Sequence, residues 1–106
     1  MLISLCTPCM NRLADLVDTM PFKIDAANKY PPIEIVIVNY NSTDGMDNYM
    51  NDLLQHTHLN GGSFITYRVY TNRKFYHAAH ANNLAMLAGN GEYVVLTPAD
   101  NFIHDN

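Results

Sequence analysis

Charge is scarce in this chain, and positive charge most of all. Lys and Arg number 6 against 10 Asp and Glu, a formal net charge of −4, and charged residues make up 15% of the sequence. The basic residues are scattered apart from Arg73-Lys74, so no patch exists to neutralise a run of phosphates, and nucleic acid is not expected as a partner. Tryptophan is absent, and 2 cysteines are too few for a disulfide framework. No apolar run reaches the ~18 residues that a transmembrane segment needs. The N-terminus has no basic stretch followed by a long apolar one, so no signal peptide is expected and a cytoplasmic location is. No repeat, linker or low-complexity tract divides the chain.

What is present is the composition of a folded protein. Hydrophobic residues make up 48% of 106, which excludes disorder and allows one domain, residues 1–106, around a small core.

The apolar pattern changes period along the chain. Leu2 to Cys6 is a short apolar run that suits a buried strand. Leu13, Leu16, Val17 and Met20 then fall on one face of a helix, which Pro21 is expected to end. Lys23 to Tyr30 is polar and ambiguous. Ile33 to Val38 is the strongest strand, and its nearly unbroken apolar character implies burial on both faces, as in a parallel sheet. Asn39 to Gly45 is a polar loop with Asn41 or Ser42 as N-cap. Met46, Tyr49, Met50, Leu53 and Leu54 mark a second helix. Asn60-Gly61-Gly62 is a turn, Phe64 to Tyr70 a third strand, and His77 to Ala88 a third helix closed by Asn90-Gly91. Tyr93 to Thr97 is the last strand.

The order β-α-β-α-β-α-β implies right-handed crossovers and an α/β fold with a mostly parallel sheet covered on both faces. The loops Thr7 to Arg12, Asn39 to Asp44 and Thr97 to Asp100 each follow a strand. In a parallel sheet they open together on the C-terminal edge, where ligands of such folds bind. Asp100, just past an apolar strand, is a candidate metal or phosphate-site carboxylate there, with a turn or N-cap role as its alternative.

Those loops carry a family resemblance. Pro8-Cys9-Met10-Asn11-Arg12 resembles the first-loop pattern Pro-Thr-x-Asn-Arg of the family 2 GT-A glycosyltransferases. Ile35 to Gly45, Ile-Val-Ile-Val-Asn-Tyr-Asn-Ser-Thr-Asp-Gly, resembles their second-strand signature. His80-Ala81-Asn82-Asn83 followed by Gly91-Glu92-Tyr93-Val94 is similar to the helix that leads into Gly-Glu-Tyr-Ile. Pro98-Ala99-Asp100 falls where the family carries Asp-x-Asp. The motifs stand in the family's order and cover nearly the whole chain.

The resemblance implies a GT-A, Rossmann-like three-layer fold that binds a nucleotide-diphospho-sugar, UDP- or GDP-linked, and a parent activity of inverting sugar transfer to an acceptor hydroxyl. It implies donor contacts from Pro8, Asn11, Arg12, Asn39, Asn41, Asp44, His80, Asn83 and Asp100. Pro8, Asn39 and Asn41 fall on the nucleoside side, His80 and Asn83 on the diphosphate or sugar side. Asp100 is the implied ligand of a divalent cation, Mn²⁺ or Mg²⁺, whose charge suits a diphosphate leaving group. Two departures stand out. Asn39 replaces the usual Asp, which alters the donors and acceptors offered to a base. Pro98 replaces the first acid of Asp-x-Asp, which weakens metal binding. The family's catalytic base and acceptor site come from a later half, so this chain reads as a truncated donor-binding half, inactive in transfer by itself.

Several readings compete with these. Asn39 also suits a loop residue that satisfies local backbone groups, and Asp44 also suits capping. Asn11 and Arg12 also suit a surface first turn. His77 and His80 share a helical spacing seen in zinc sites, but no further ligand lies near them in sequence. A non-catalytic nucleotide-sugar-binding remnant of the same fold shares all the motifs. Cys6-Thr7-Pro8-Cys9 between a strand and a helix has the thioredoxin arrangement, in which a thiol pKa is lowered. A Rossmann dinucleotide site lacks its Gly-x-Gly-x-x-Gly here.

Overall fold

The computed structural model describes residues 2–57, 59, 62–70 and 78–97, with the side chains of 70, 78 and 79 left aside. The elements run β1 (Ile3–Cys9), α1 (Leu13–Lys29), β2 (Ile33–Tyr40), α2 (Met46–His56), β3 (Phe64–Tyr70), α3 (Ala78–Ala88) and β4 (Tyr93–Leu96). The strands form one sheet in the order β3-β2-β1-β4, and every pairing is parallel. This is the expected α/β architecture.

The order dictates the layers. Steps from β1 to β2 and from β2 to β3 move the same way across the sheet, so right-handed crossovers put α1 and α2 on one face. The return to β4 on the far side of β1 puts α3 on the other. Side-chain alternation along the strands follows. Leu5, Cys9, Ile33, Ile35 and Ile37 pack with Leu16, Met20, Ala27, Met46 and Met50 of α1 and α2. Cys6, Val36 and Val38 pack with Ala85 of α3, joined by Val94 and Leu96. All of β2 is buried, as its unbroken apolar run implies.

Helix α1 corrects the expected stop at Pro21. It continues through Pro21 and the polar stretch to Lys29. A proline inside a helix leaves the carbonyl four residues back, that of Val17, without its usual N–H. Pro21, Val17 and Phe22 are all exposed, so this break faces water. The opposite stripe, Leu16, Met20, Lys23 and Ala27, is buried and holds the helix on the sheet beyond the proline. No helix among the described residues is long and apolar enough to cross a membrane.

The N-terminal edge of the sheet is closed by a carboxylate inside the apolar run of β2. Glu34 is fully buried and accepts bonds from Ser4 Oγ at 2.7 Å, Asn90 N at 2.9 Å, Asn90 Nδ2 at 3.1 Å and Thr66 Oγ1 at 3.5 Å. Gly91 N donates to Ser4 Oγ at 2.8 Å. A Cβ at Gly91 would lie 2.7 Å from that oxygen and 2.8 Å from the Leu2 carbonyl oxygen, so the turn into β4 needs a glycine there.

Candidate functional site

The C-terminal edge of the sheet holds the candidate site, and β1 and β4 flank its centre. In the order β3-β2-β1-β4 the chain reverses its direction of travel between these two strands, the point at which open α/β sheets form ligand crevices. Pro8 shapes that point. Carbonyls of Leu2 and Cys6 accept from Glu92 and Thr97 on the β4 side; by the same alternation the next N–H toward β4 would be that of residue 8. Proline has none. The Thr97 carbonyl, which that N–H would reach, accepts instead from Thr7 Oγ1 at 2.6 Å, and the two threonine hydroxyls lie 2.8 Å apart. At Thr97 a threonine hydroxyl thus takes the place of the backbone donor that Pro8 lacks.

The loops after β1 and β2 are stitched into one unit. Asn11, at φ 54°, donates its backbone N–H to Ser42 Oγ at 3.0 Å. Its Oδ1 accepts from Thr43 N at 2.7 Å and Thr43 Oγ1 at 3.2 Å. Ser42 Oγ donates to the Cys9 carbonyl at 3.1 Å. Asp44 Oδ2 accepts from Leu13 N at 2.9 Å, so this aspartate caps α1 from the neighbouring loop. Neither Asn41 nor Ser42 is the N-cap of α2. That position is Gly45, in the left-handed region at φ 90°, with no side-chain cap bond. Asn41 also has a positive φ, 56°, a conformation asparagine tolerates better than most residues.

Asn39 lies beneath this unit, 2% exposed. Its Oδ1 accepts from Ser42 N at 2.8 Å, and its Nδ2 donates to Asp47 Oδ1 at 2.9 Å and Tyr67 Oη at 3.1 Å. Tyr67 Oη in turn donates to Asp47 Oδ1. Burial, reinforced by the bond to Asp47, raises the Tyr67 pKa to about 12. Each end of the Asn39 amide is thus used in holding the loop. Neither Asp47 nor Tyr67 was among the residues the sequence singled out. Asp47 had a signal, an acid in the first turn of α2; Tyr67 had none beyond strand alternation.

On the other face, His80 in the first turns of α3 is half-buried against Tyr40, the last residue of β2. Tyr40 Oη and His80 Nδ1 are 2.7 Å apart, with the rings edge-on at 77°. Asn83, one turn on, is exposed. Arg12 is exposed, with Nε 2.9 Å from Asp15 Oδ2. Asp100 and Pro98 lie outside the described residues, as does His77. Among the described residues, no group of three or more His, Cys, Asp or Glu side chains gathers to hold a metal ion.

The cysteine spacing does not make a redox pair. Cys6 and Cys9 lie three apart within one strand, so their side chains point to opposite faces, Cys6 toward α3 and Cys9 toward α1 and α2. Both thiols are buried. Burial pushes each pKa to about 11, with Glu34 adding to the effect at Cys6. A reactive thiol needs a shift in the other direction.

A parallel α/β sheet with polar loops stitched together at its switch point belongs to the class of open α/β folds that bind ligands at that edge. The particular family follows from comparison: the chain matches the model for glycosyl transferase family 2 over residues 4–106, and it belongs to that family. No curated protein matches the chain.

Proposed function

We propose that this chain binds a nucleotide-diphospho-sugar at the C-terminal edge of its sheet, as the donor side of an inverting transfer of a sugar to an acceptor hydroxyl. The observation that carries the reading is the stitched pair of loops after β1 and β2, standing beside the β1–β4 switch point in a family 2 glycosyl transferase.

Pro8, Asn11 and Asn41 take the nucleoside side. Asn39 acts there through the loop it holds, because its amide already bonds Ser42, Asp47 and Tyr67. Asp44 keeps the N-terminus of α1, and with it Arg12, in place. His80 and Asn83 take the diphosphate or sugar side. Asp100 is assigned to a divalent cation, Mg²⁺ or Mn²⁺, and UDP and GDP are the candidate nucleotides. Amide spectra of ¹⁵N-labelled protein test the placement directly. Adding UDP or GDP is expected to move the resonances of Asn11, Asn41 and His80 and to leave those of Glu34 and Asn90, at the opposite edge, in place. Movement at the Glu34 edge alone would overturn the assignment.

A further inference from the structure

The Tyr40–His80 pair has a chemical consequence for the proposed donor site. Tyr40 is 1% exposed, and its hydroxyl meets Nδ1 of His80 at 2.7 Å. A neutral imidazole has one acceptor nitrogen and one N–H. Its acceptor nitrogen is a far stronger base than a phenol oxygen, and a phenol O–H is the stronger donor. The favoured arrangement at this distance is thus Tyr40 O–H donating to Nδ1. The ring proton is then on Nε2, on the side of the ring away from Tyr40. The hydrogen bond at one ring nitrogen fixes what the other presents.

We propose that Tyr40 is a positioning residue that holds His80 as its Nε2–H tautomer, so that His80 offers an N–H donor to the diphosphate or sugar oxygens of the nucleotide-sugar. This rests on the reading of the C-terminal edge as the donor site. It also assigns His80 a role by exclusion: with the proton on Nε2, that nitrogen binds an oxygen and does not take a proton from an acceptor hydroxyl. The placement agrees with the fold. Tyr40 ends β2 on the α3 face, so the pair ties the start of α3 to the edge on which Thr7 and Thr97 meet.

Two measurements test the proposal. The first is a long-range ¹H–¹⁵N spectrum of the histidine rings in nucleotide-free protein. It is expected to show His80 with an unprotonated Nδ1 and a protonated Nε2, and to show that preference lost in Tyr40→Phe while the amide spectrum stays native. A ring protonated at Nδ1, or one unchanged in Tyr40→Phe, would overturn the role of Tyr40 whatever the nucleotide does.

The second is titration of UDP, GDP and their nucleotide-sugars, with Mg²⁺ present, into His80 variants. Glutamine places an amide N–H near the position of Nε2, and leucine places none. His80→Gln is expected to keep affinity within about threefold, and His80→Leu to lose about tenfold or more, the scale of one hydrogen bond to a charged group. Equal loss in both, or in neither, would overturn the donor role of His80. Failure of the wild-type protein to bind any of these ligands would overturn the donor-site reading itself. The ring spectrum separates these failures, because it needs no ligand, and the His80 variants provide a test if Tyr40→Phe does not fold.

Discussion

Replacing Asn39 with aspartate would put back the acid that the family's second-strand signature usually carries, and the structure argues that this chain will not tolerate it. The Asn39 amide donates to Asp47 Oδ1 at 2.9 Å. In Asn39→Asp a carboxylate oxygen takes the place of that N–H and faces another carboxylate. Like charges about 4 Å apart repel by about 1 kcal/mol in water and by about 4 kcal/mol at an effective dielectric of 20. Asn39 is buried and Asp47 exposed, which places the pair between these limits. The lost N–H donor adds about 1 kcal/mol. Asn39→Asp should therefore destabilise the fold by about 2–5 kcal/mol at neutral pH, read from urea unfolding. The sign of the pH dependence is fixed. Repulsion raises the folded-state carboxyl pKa above its unfolded value, so the deficit is largest above the folded pKa and shrinks as pH falls through it. The second variant decides the matter. In Asn39→Asp with Asp47→Asn the donor and acceptor exchange places, and most of the lost stability should return. A single variant as stable as wild type, or a double variant no better than the single, would show that the Asn39 amide is not a needed donor to Asp47.

Other predictions rest on separate contacts. Asp44→Ala removes the cap of α1 and should cost about 1 kcal/mol in urea unfolding, with loss of protection at the Leu13 amide; unchanged protection there would contradict the capping role. Pro21→Ala should stabilise the protein by about 1–2 kcal/mol, because α1 regains a hydrogen bond to Val17 while the unfolded chain regains some freedom; a loss of stability would show that the proline is structurally required. The raised thiol pKa values predict alkaline sensitivity. Both native thiols hold their protons from the unfolded value near 9.0 up to about 11, so their contribution is fully present below pH 9 and is lost as pH rises to about 11. This amounts to about 3 kcal/mol per thiol at most. Replacing both with alanine should flatten the stability–pH curve over that window, and an unchanged slope would count against their burial.

Long-range periodicity made most of the fold legible from the sequence. The unbroken apolar run of β2 and the spacing of Met46, Met50 and Leu53 in α2 reported burial directly. Pro21 misled, because its cost is local whereas the buried stripe that outweighs it extends to Ala27. Glu34 was hidden for a different reason. Its donors, Ser4, Thr66 and Asn90, are distant in sequence, so nothing local distinguishes this buried acid from an exposed one. The loops after β1 and β2 were readable as a site region, but not the division of labour within them. Asp44 looked like a cap for the helix that follows it and instead caps the one before, a contact only the side-by-side packing of β1 and β2 creates. Asn39 looked available to a ligand, yet Asp47 and Tyr67, its partners, come from two other elements. The cysteine motif read as a redox candidate only because spacing does not reveal that both residues lie in one strand, where three positions apart means opposite faces.

The proposed site holds a nucleotide donor at the C-terminal edge, with Asp100 assigned to a divalent ion. Titration calorimetry with UDP, GDP and their sugars, with and without Mg²⁺ or Mn²⁺, tests it most directly. Saturable heat is expected with at least one nucleotide, with tighter binding when the metal is present and loss of that metal enhancement in Asp100→Ala. No heat with any nucleotide would contradict the donor site, and a metal enhancement that survives intact in Asp100→Ala would contradict the role given to Asp100.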